Sequence, residues 1–305
     1  MTPSQDAERV YLIDASIYVF RAWFSMPGDF SDPAGRPTNA VYGFARFLCE
    51  FIERTGARRV AVAFDESLTQ SFRNDIYPDY KANRESAPED LRRQFGWCRD
   101  LSAQLGLPCH WHSRYEADDL IATLADHWRR RGHPVTVVTG DKDLAQLVLA
   151  PDDRWWDYPR RAPLCPDGVH RQFGVRPEQI ADYLALTGDP VDNIPGVAGV
   201  GPKTAAGLLA HFGDIDTLYE RLDELAFLKM RGAKAMIPRL RQAEPVVRLA
   251  RRLTTLEARP DAVDDPDRAV RGTHRGDELD ALLDSLGFGT TLRARLQALN
   301  PAGGS

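Results

Sequence analysis

Val135-Thr-Val-Val-Thr-Gly-Asp141 is a run of β-prone residues that ends on an aspartate, and two similar runs precede it in the chain. They are Val10-Tyr-Leu-Ile-Asp14 and Val60-Ala-Val-Ala-Phe-Asp65. Runs of this kind, alternating with helical segments, predict parallel strands in an α/β sheet. Because the carboxyl ends of such strands meet at one edge of the sheet, we expect the three aspartates to lie close together.

More acids occur near these strand ends. Three of them open a predicted helix, one follows Asp141 closely, and two form a pair further along the chain. Helix capping explains single acids at such positions but does not require three. A cluster of carboxylates would repel itself strongly, and divalent cations such as Mg²⁺, which prefer oxygen ligands, relieve that repulsion. The pattern predicts a two-metal site for phosphodiester cleavage. The nine candidate metal ligands are Asp14, Asp65, Glu116, Asp118, Asp119, Asp141, Asp143, Asp189 and Asp192.

The bulk composition is that of a soluble globular protein. The 305 residues are 43% hydrophobic and 27% charged, with a net charge of −5. Four cysteines without paired spacing predict free thiols, and the polar start of the chain lacks the pattern of a signal peptide, so we expect a cytoplasmic protein without membrane contact. Residues 221–259 nevertheless carry ten Lys or Arg and only four acids. That segment favours a phosphate-backbone partner, with a solvated helical face as the alternative.

A glycine-rich loop follows the last pair of acids. Gly199 and Gly201 permit a tight turn, Pro202 begins a helix, and Gly213 ends it. A nucleotide-binding P-loop would need an N–H group where Pro202 stands, so no nucleotide cofactor is expected. The sequence predicts a helix-hairpin-helix, whose exposed amides attract duplex phosphates regardless of base sequence. The candidate DNA-binding residues of this loop are Gly199, Val200, Gly201, Lys203 and Thr204.

Taken together, the motifs resemble the 5′-nuclease family, which comprises flap endonucleases and the N-terminal 5′→3′ exonuclease domain of bacterial DNA polymerase I. Besides the acidic runs, the resemblance rests on Phe72-Arg73, on Tyr77-Pro-Asp-Tyr80-Lys81-Ala-Asn-Arg84, and on Gly199-Val-Gly201-Pro-Lys203-Thr204. It covers nearly the whole chain in order, and without a polymerase segment it implies a stand-alone member. The implied fold is a PIN-like (resolvase-like) parallel sheet flanked by helices, with a helical arch and a C-terminal helical region containing the hairpin.

We expect three segments on this basis. Residues 9–169 would form the catalytic domain with the arch at 66–106. Residues 170–290, where β-prone runs disappear, would form the helical DNA-binding region with the hairpin at 186–213. Residues 291–305 would be a C-terminal tail.

The resemblance also implies residue roles. Asp14, Asp65, Glu116, Asp118 and Asp119 would dominate one metal site, and Asp141, Asp143, Asp189 and Asp192 the other. The ions would be Mg²⁺, with Mn²⁺ as a substitute, and K⁺ would sit on carbonyls of the hairpin. Lys81 and Arg84, three residues apart and so on one helix face, would stand over the scissile phosphate, which Arg73 would help to hold. Tyr77 and Tyr80 would stack on an unpaired base. Without the resemblance, Lys81 and Arg84 would be surface charges and the tyrosines packing residues.

The implied activity is that of a structure-selective DNA 5′-nuclease, a 5′→3′ exonuclease or flap endonuclease. It would act as a monomer on duplex DNA with a 5′ flap or 5′ end, leave 5′-phosphate and 3′-hydroxyl products, and serve primer removal and repair. Two alternatives stay open: an RNA-directed nuclease of the related PIN type, and a catalytically silent binder of branched DNA.

Overall fold

A five-stranded, all-parallel sheet forms the centre of the protein. It is seen in a computed structural model that describes residues 8–66, 71–230 and 232–300. The strand order is β3-β2-β1-β4-β5, so β1 lies in the middle between β2 and β4. The predicted parallel α/β sheet is confirmed. The strands are β1 Val10–Asp14, β2 Arg59–Ala63, β3 Cys109–His110, β4 Val135–Val138 and β5 Arg154–Trp156.

Helices cover both faces of this sheet. Alternate residues of β1 point to opposite sides, as the period of a strand requires. Tyr11 and Ile13 belong to the core under one helical layer, while Val10 and Leu12 belong to the core under the other. The helices are α1 Ala15–Ser25, α2 Asn39–Thr55, α3 Arg73–Ile76, α4 Glu89–Gln104, α5 Ala117–Arg130, α6 Pro166–Phe173, α7 Ile180–Thr187, α8 Pro202–Phe212, α9 Ile215–Glu220, α10 Ala233–Thr254, α11 Gly276–Ser285 and α12 Thr290–Ala298. Short 3₁₀ helices span Asp143–Leu147, Pro177–Gln179 and Leu222–Phe227.

Local sequence signals explain several helix ends. Gly56, in the left-handed region at φ 59°, ends α2. Pro88 precedes the first residue of α4, and Pro202 is the first residue of α8. Helix α1 follows β1 without a turn and was not among the predicted elements.

The chain from α6 to α10 forms a second, all-helical core. Leu184 of α7, Leu208 of α8 and Leu240 of α10 are buried together in it. Trp155 of β5 and Ala145 of the 3₁₀ helix after β4 belong to the same core, so this region packs directly against the edge of the sheet. The all-helical region therefore packs against β5 and against the segment that follows β4.

Two predicted segments look different in the structure. The expected tail at 291–305 contains most of α12, whose Leu292 and Leu296 are buried in the core beneath α2; residues 301–305 lie outside the described part of the chain. The arch segment at 66–106 contains the short helix α3, turns from 77 to 84 and helix α4, while 67–70 lie outside the description. Lys81 sits in these turns at φ 56°, so the shared helix face expected for Lys81 and Arg84 does not exist.

None of the helices among the described residues is long and apolar enough to span a bilayer.

Candidate active site

A polar pocket lies at the carboxyl edge of the sheet, where β1, β2 and β4 end. Six of the nine predicted metal ligands line it, together with two cations from the arch segment. Helix α1 contributes the apolar side chains of Ile17 and Phe20 to its wall. The acids in this lining are Asp14, Asp65, Glu116, Asp118, Asp141 and Asp192, and the cations are Lys81 and Arg84.

Four of these carboxylates repel one another inside the pocket. Burial, followed by the charge of Asp65, raises the pKa of Asp14 from 3.8 to about 7. Burial and the charges of Asp141, Asp14 and Asp65 raise the pKa of Asp118 well above its ordinary value. Hydroxyl groups compensate in part, since Thr139 Oγ1 donates to Asp14 Oδ2 at 2.8 Å and Ser16 Oγ donates to Asp65 Oδ2 at 2.6 Å. The cluster has excess negative charge that a cation would neutralise.

Glu116 also lines the pocket, and cations compensate its negative charge. Burial alone would raise its pKa, but Lys81 and then Arg73 outweigh burial and lower it. Lys81 Nζ donates to Glu116 Oε1 and lies 3.8 Å from Asp192 Oδ2, while Arg84 pairs with Asp192 Oδ1. The two arch cations therefore rest on two of the predicted metal ligands.

Two further acids, Asp143 after β4 and Asp189 after α7, lie next to the pocket acid Asp141. Asp141 Oδ1 accepts a hydrogen bond from the N–H of Asp143 at 2.9 Å. Burial and the charge of Asp141 raise the pKa of Asp143 to about 8. Asp189 Oδ2 accepts from Lys142 Nζ at 2.7 Å. Neither Asp143 nor Asp189 lines the pocket itself.

Arg73 and Asp119 do not occupy the positions expected of them. Both guanidinium ends of Arg73 donate to Asp119 at 2.8 Å, Nη1 also donates to Glu116, and Nε donates to the carbonyl of Leu253. Arg73 is 2% exposed and Asp119 1% exposed, so neither reaches a phosphate or faces the pocket. Asp119 also caps α5 by accepting from the N–H of Glu116. They form a buried ion pair that holds Glu116 in place.

The two tyrosines are also placed differently from the stacking role. Tyr80 is 4% exposed, and its hydroxyl oxygen lies 3.0 Å from Glu116 Oε2 and 3.1 Å from Asp192 Oδ2, so its single proton is shared between two acceptors. Tyr77 is half-buried and packs against the helical core. Both tyrosines are therefore placed as packing residues, which was the alternative interpretation. Tyr80 also contacts two pocket acids, Glu116 and Asp192.

The glycine-rich loop forms the predicted hairpin before α8. Gly199 has φ 80° and Gly201 precedes Pro202 at the helix start. Lys203 is exposed there and Thr204 half-buried, but Val200 is 4% exposed and packs in the helical core, so its side chain does not face a ligand. Arg239 of α10 reaches the hairpin, with Nη1 3.5 Å from the carbonyl oxygen of Ala198.

A close backbone contact joins this hairpin to the acids after α7. A Cβ atom on Gly188 would lie 2.7 Å from the backbone N of Gly196, and one on Gly196 would lie 2.3 Å from the backbone N of Gly188. Between them, Asp189 and Ile194 exchange two backbone hydrogen bonds of 2.9 and 2.8 Å. The loop carrying Asp189 and Asp192 is therefore closed by its own backbone, directly ahead of the hairpin.

Five of the nine Lys and Arg residues that the structure describes in the basic segment 221–259 pair with an acid. Arg248 contacts Asp216 and Glu244, and Arg251 contacts Asp182 and Asp216. Its charge is therefore less available to a ligand than the sequence suggests.

The donor set suits a hard divalent cation, because it consists of carboxylates. Burial and the charges of neighbouring acids raise the pKa values of Asp14, Asp118 and Asp141. In the described part of the chain, no three His, Cys, Asp or Glu side chains are grouped closely enough to hold one ion as they stand. Five of the nine acids instead contact a cationic side chain. They are Glu116, Asp119, Asp143, Asp189 and Asp192.

Two profiles of known families match consecutive parts of the chain. Residues 9–174 match the profile described as 5′-3′ exonuclease, N-terminal resolvase-like domain, and residues 175–273 match 5′-3′ exonuclease, C-terminal SAM fold. The chain belongs to the 5′-3′ exonuclease family. The resemblance inferred from the motifs is confirmed.

Two relatives of this 5′-3′ exonuclease family member are bacterial DNA polymerase I proteins. It is 38% identical over 296 residues to DNA polymerase I of Rhizobium leguminosarum, covering 95% of this chain and 28% of that protein. It is 37% identical over 287 residues to the thermostable DNA polymerase I of Thermus thermophilus, covering 93% of this chain and 33% of that protein. The chain thus spans about a third or less of these curated relatives.

Solved structures share the fold of this family member. T5 5′-exonuclease with bound zinc superposes with a TM-score of 0.65 at 18% identity, covering 95% of this chain and 98% of that one. The catalytic core of Rad2 in complex with DNA substrate gives a TM-score of 0.64 at 17% identity, covering 97% and 92%. These similarities confirm the resolvase-like fold with its helical C-terminal region.

Several residues that contact the acids of this family member were not predicted from the sequence. Thr139 and Ser16 orient pocket carboxylates, and Lys142 contacts two acids. Lys142 lies between Asp141 and Asp143 in the chain, which is a signal that sequence alone offers. Hydroxyl residues beside strand ends are too common to single out in this way.

Proposed function

We propose that this chain is a metal-dependent, structure-selective DNA 5′-nuclease that hydrolyses phosphodiester bonds to give 5′-phosphate and 3′-hydroxyl ends. One observation carries the proposal. Six carboxylates from three strand ends, α5 and the loop after α7 share a pocket with Lys81 and Arg84. Carboxylates suit divalent cations, and the neighbouring lysine and arginine suit a phosphate.

In this proposal Asp14, Asp65, Glu116 and Asp118 hold one ion, and Asp141, Asp143, Asp189 and Asp192 hold another. The natural ion is Mg²⁺, with Mn²⁺ as a substitute. When bound, such ions supply activation of a water nucleophile and stabilise charge on the leaving oxygen. The chain's own residues fix the ligands, as Thr139 does for Asp14 and Ser16 for Asp65.

Lys81 and Arg84 bind the scissile phosphate once they leave the acids on which they rest. Both also line a second cleft, shared with Asn74 and Pro78. In this proposal a 5′ strand runs from this cleft to the carboxylate pocket and passes the two cations. There they stabilise negative charge that grows on the phosphate during hydrolysis.

The duplex binds at the hairpin in this proposal. Lys203, Thr204 and the amides at the start of α8 contact phosphates of the duplex. The hairpin carbonyls would hold K⁺, whose charge would attract the same phosphates. This binding is independent of base sequence. We further propose a monomeric cytoplasmic protein that serves primer removal and repair.

The first test is a gel assay on a 5′-labelled flap duplex and a matched single-stranded RNA, with Mg²⁺ or with EDTA. The wild type should cut the flap near its junction only with Mg²⁺, and Asp118→Ala should lower the rate by at least about 10²-fold. Asp126→Ala is the matched control, because Asp126 lies on the same helix but pairs with Arg130 at the surface.

Other results would replace the proposal. Cutting of RNA alone would favour the PIN-type nuclease, and flap binding without cutting would favour a silent DNA binder. Equal activity in Asp118→Ala would remove the carboxylate pocket from the mechanism.

A further inference from the structure

Lys142 lies between two carboxylates that the proposed function assigns to the second metal site. Its Nζ is 2.7 Å from Asp189 Oδ2 and 3.5 Å from Asp143 Oδ1. In the chain it stands between Asp141 and Asp143, so its backbone position is fixed by the same loop that positions the acids. No other cationic side chain is recorded on these two acids within the described residues.

The oxygens around this ammonium group are partly satisfied in other ways. Asp189 Oδ1 accepts from the N–H of Val191 at 2.8 Å, which leaves Oδ2 to Lys142. Asp143 Oδ1 is buried and accepts no hydrogen bond in the described structure, although it faces Lys142 at 3.5 Å. An acceptor that is buried and unpaired is unfavourable. A small cation that contacts both oxygens at once would satisfy them better than the single ammonium does.

The side chain of Lys142 is also held less firmly in its ion pair than the side chain of Lys81. Its side chain is 44% exposed, whereas Lys81 on Glu116 is 12% exposed. Lys142 makes one hydrogen bond, and a four-carbon stem lets its head group move into solvent at little cost. The contact therefore neutralises the acids without being locked in place.

We infer that Lys142 is an exchangeable internal counter-ion of the second metal site, which competes with the divalent ion and is displaced when that ion binds. The inference rests on the proposed function for the assignment of Asp143 and Asp189 to a metal. In the metal-free protein Lys142 limits repulsion between these acids. When Mg²⁺ binds, the charge of Lys142 repels the ion that enters the second metal site. This site therefore fills only at a higher concentration of Mg²⁺ than its carboxylates alone would require.

The test is a calorimetric titration of the full chain with MgCl₂ in the absence of DNA. For Lys142→Met, the dissociation constant of the weaker site should fall at least about tenfold, because a positive charge within 4 Å of its ligands has been removed. Lys142→Arg should stay close to the wild type. Lys234→Met, which removes the same charge from an exposed position at the start of α10, should also leave the titration unchanged.

A second readout does not depend on a variant. The wild type is acetylated with acetic anhydride, with and without MgCl₂, and modification of Lys142 is measured by peptide mass spectrometry. Displacement predicts faster acetylation with Mg²⁺, relative to Lys234 as the internal reference.

An unchanged or weaker affinity for Mg²⁺ in Lys142→Met, or unchanged or slower acetylation of Lys142 with Mg²⁺, would overturn the inference. Absence of Mg²⁺ binding in the wild type would overturn both the inference and the proposed metal sites. A negative flap assay combined with the predicted titration and labelling would refute only the nuclease activity.

Discussion

Replacing Arg73 by Met should destabilise the protein far more than any loss of a surface charge. Arg73 lies in α3 and connects this helix to the start of α5 and the end of α10 through four hydrogen bonds, each of 2.8 Å. Methionine has a similar volume and keeps the apolar packing. The substitution thus isolates the loss of the guanidinium group.

The size of the effect follows from burial. Arg73 is 2% exposed, and its partners Asp119 and Glu116 are 1% and 9% exposed. Removing one partner of a buried ion pair costs about 3–5 kcal/mol, because the remaining charge stays buried without compensation. Here Glu116 retains Lys81 and Tyr80, whereas Asp119 keeps no cation that the structure records. Most of the loss should therefore come from Asp119.

The assay is urea unfolding followed by tryptophan fluorescence and circular dichroism. Arg73→Met should lower the free energy of unfolding by about 3–5 kcal/mol, which corresponds to at least about 6 °C in Tm. Arg114→Met is the matched control, because Arg114 pairs with Asp75 at 2.8 Å while both side chains are more than 60% exposed. That loss should stay below about 1 kcal/mol.

A double variant tests the reasoning itself. Arg73→Met with Asp119→Leu removes both charges and should recover a large part of the stability lost in Arg73→Met alone. A loss in Arg73→Met no larger than that in Arg114→Met would refute the buried-pair argument. Failure of the double variant to recover stability would show that the two residues are not energetically coupled.

Three further predictions concern charge, thiols and packing. Asp118→Asn should abolish Mg²⁺-dependent cleavage. In thermal melts at neutral pH it should nevertheless stabilise the metal-free protein by about 0.5–2 kcal/mol, because the pKa of Asp118 is raised in the folded state. The gain should vanish as the pH falls to the ordinary value of 3.8, where the carboxyl is protonated in both folded and unfolded protein, and a gain independent of pH would contradict this. Cys49, Cys98 and Cys109 should react slowly with a thiol reagent at pH 8 until the protein is unfolded, because burial raises the pKa of each; fast labelling of any of them in the native protein would contradict this. Leu296→Ala should cost about 2–5 kcal/mol in urea unfolding, since this side chain is fully buried beneath α2, and a cost below about 1 kcal/mol would mean that α12 is a dispensable tail.

The sheet and its acidic edge followed from sequence because both depend on local patterns. Strand runs ending in Asp14, Asp65 and Asp141 bring these residues together through topology alone, since parallel strands share their carboxyl edge. The capped helices could be predicted for the same reason. Helix α1 carries such a signal too, with Tyr18, Val19 and Ala22 at helical spacing, but no turn residue separates it from β1.

The pairing of side chains could not be predicted in this way. Asp119 stands three residues after Glu116, where an acid can cap the helix, bind a metal or pair with an arginine. The choice depends on Arg73, which lies 46 residues away in the chain. Tyr80 likewise could face solvent or the core, and only the packing of α3 against α5 and α10 decides between them. Family resemblance places such residues near the site but not on one side of a helix or the other.

The closed loop between Gly188 and Gly196 would help to determine the position at which a flap substrate is cut. In the proposed function, its backbone sets the separation between the hairpin, where the duplex would bind, and the carboxylates of Asp189 and Asp192. Neither glycine accepts a side chain without moving the backbone that faces it. The loop thus keeps the distance between the hairpin and the two aspartates constant. One residue inserted between 190 and 192 should move the cut along the flap substrate, whereas the same insertion on the far side of α8 should weaken binding and leave the cut where it was.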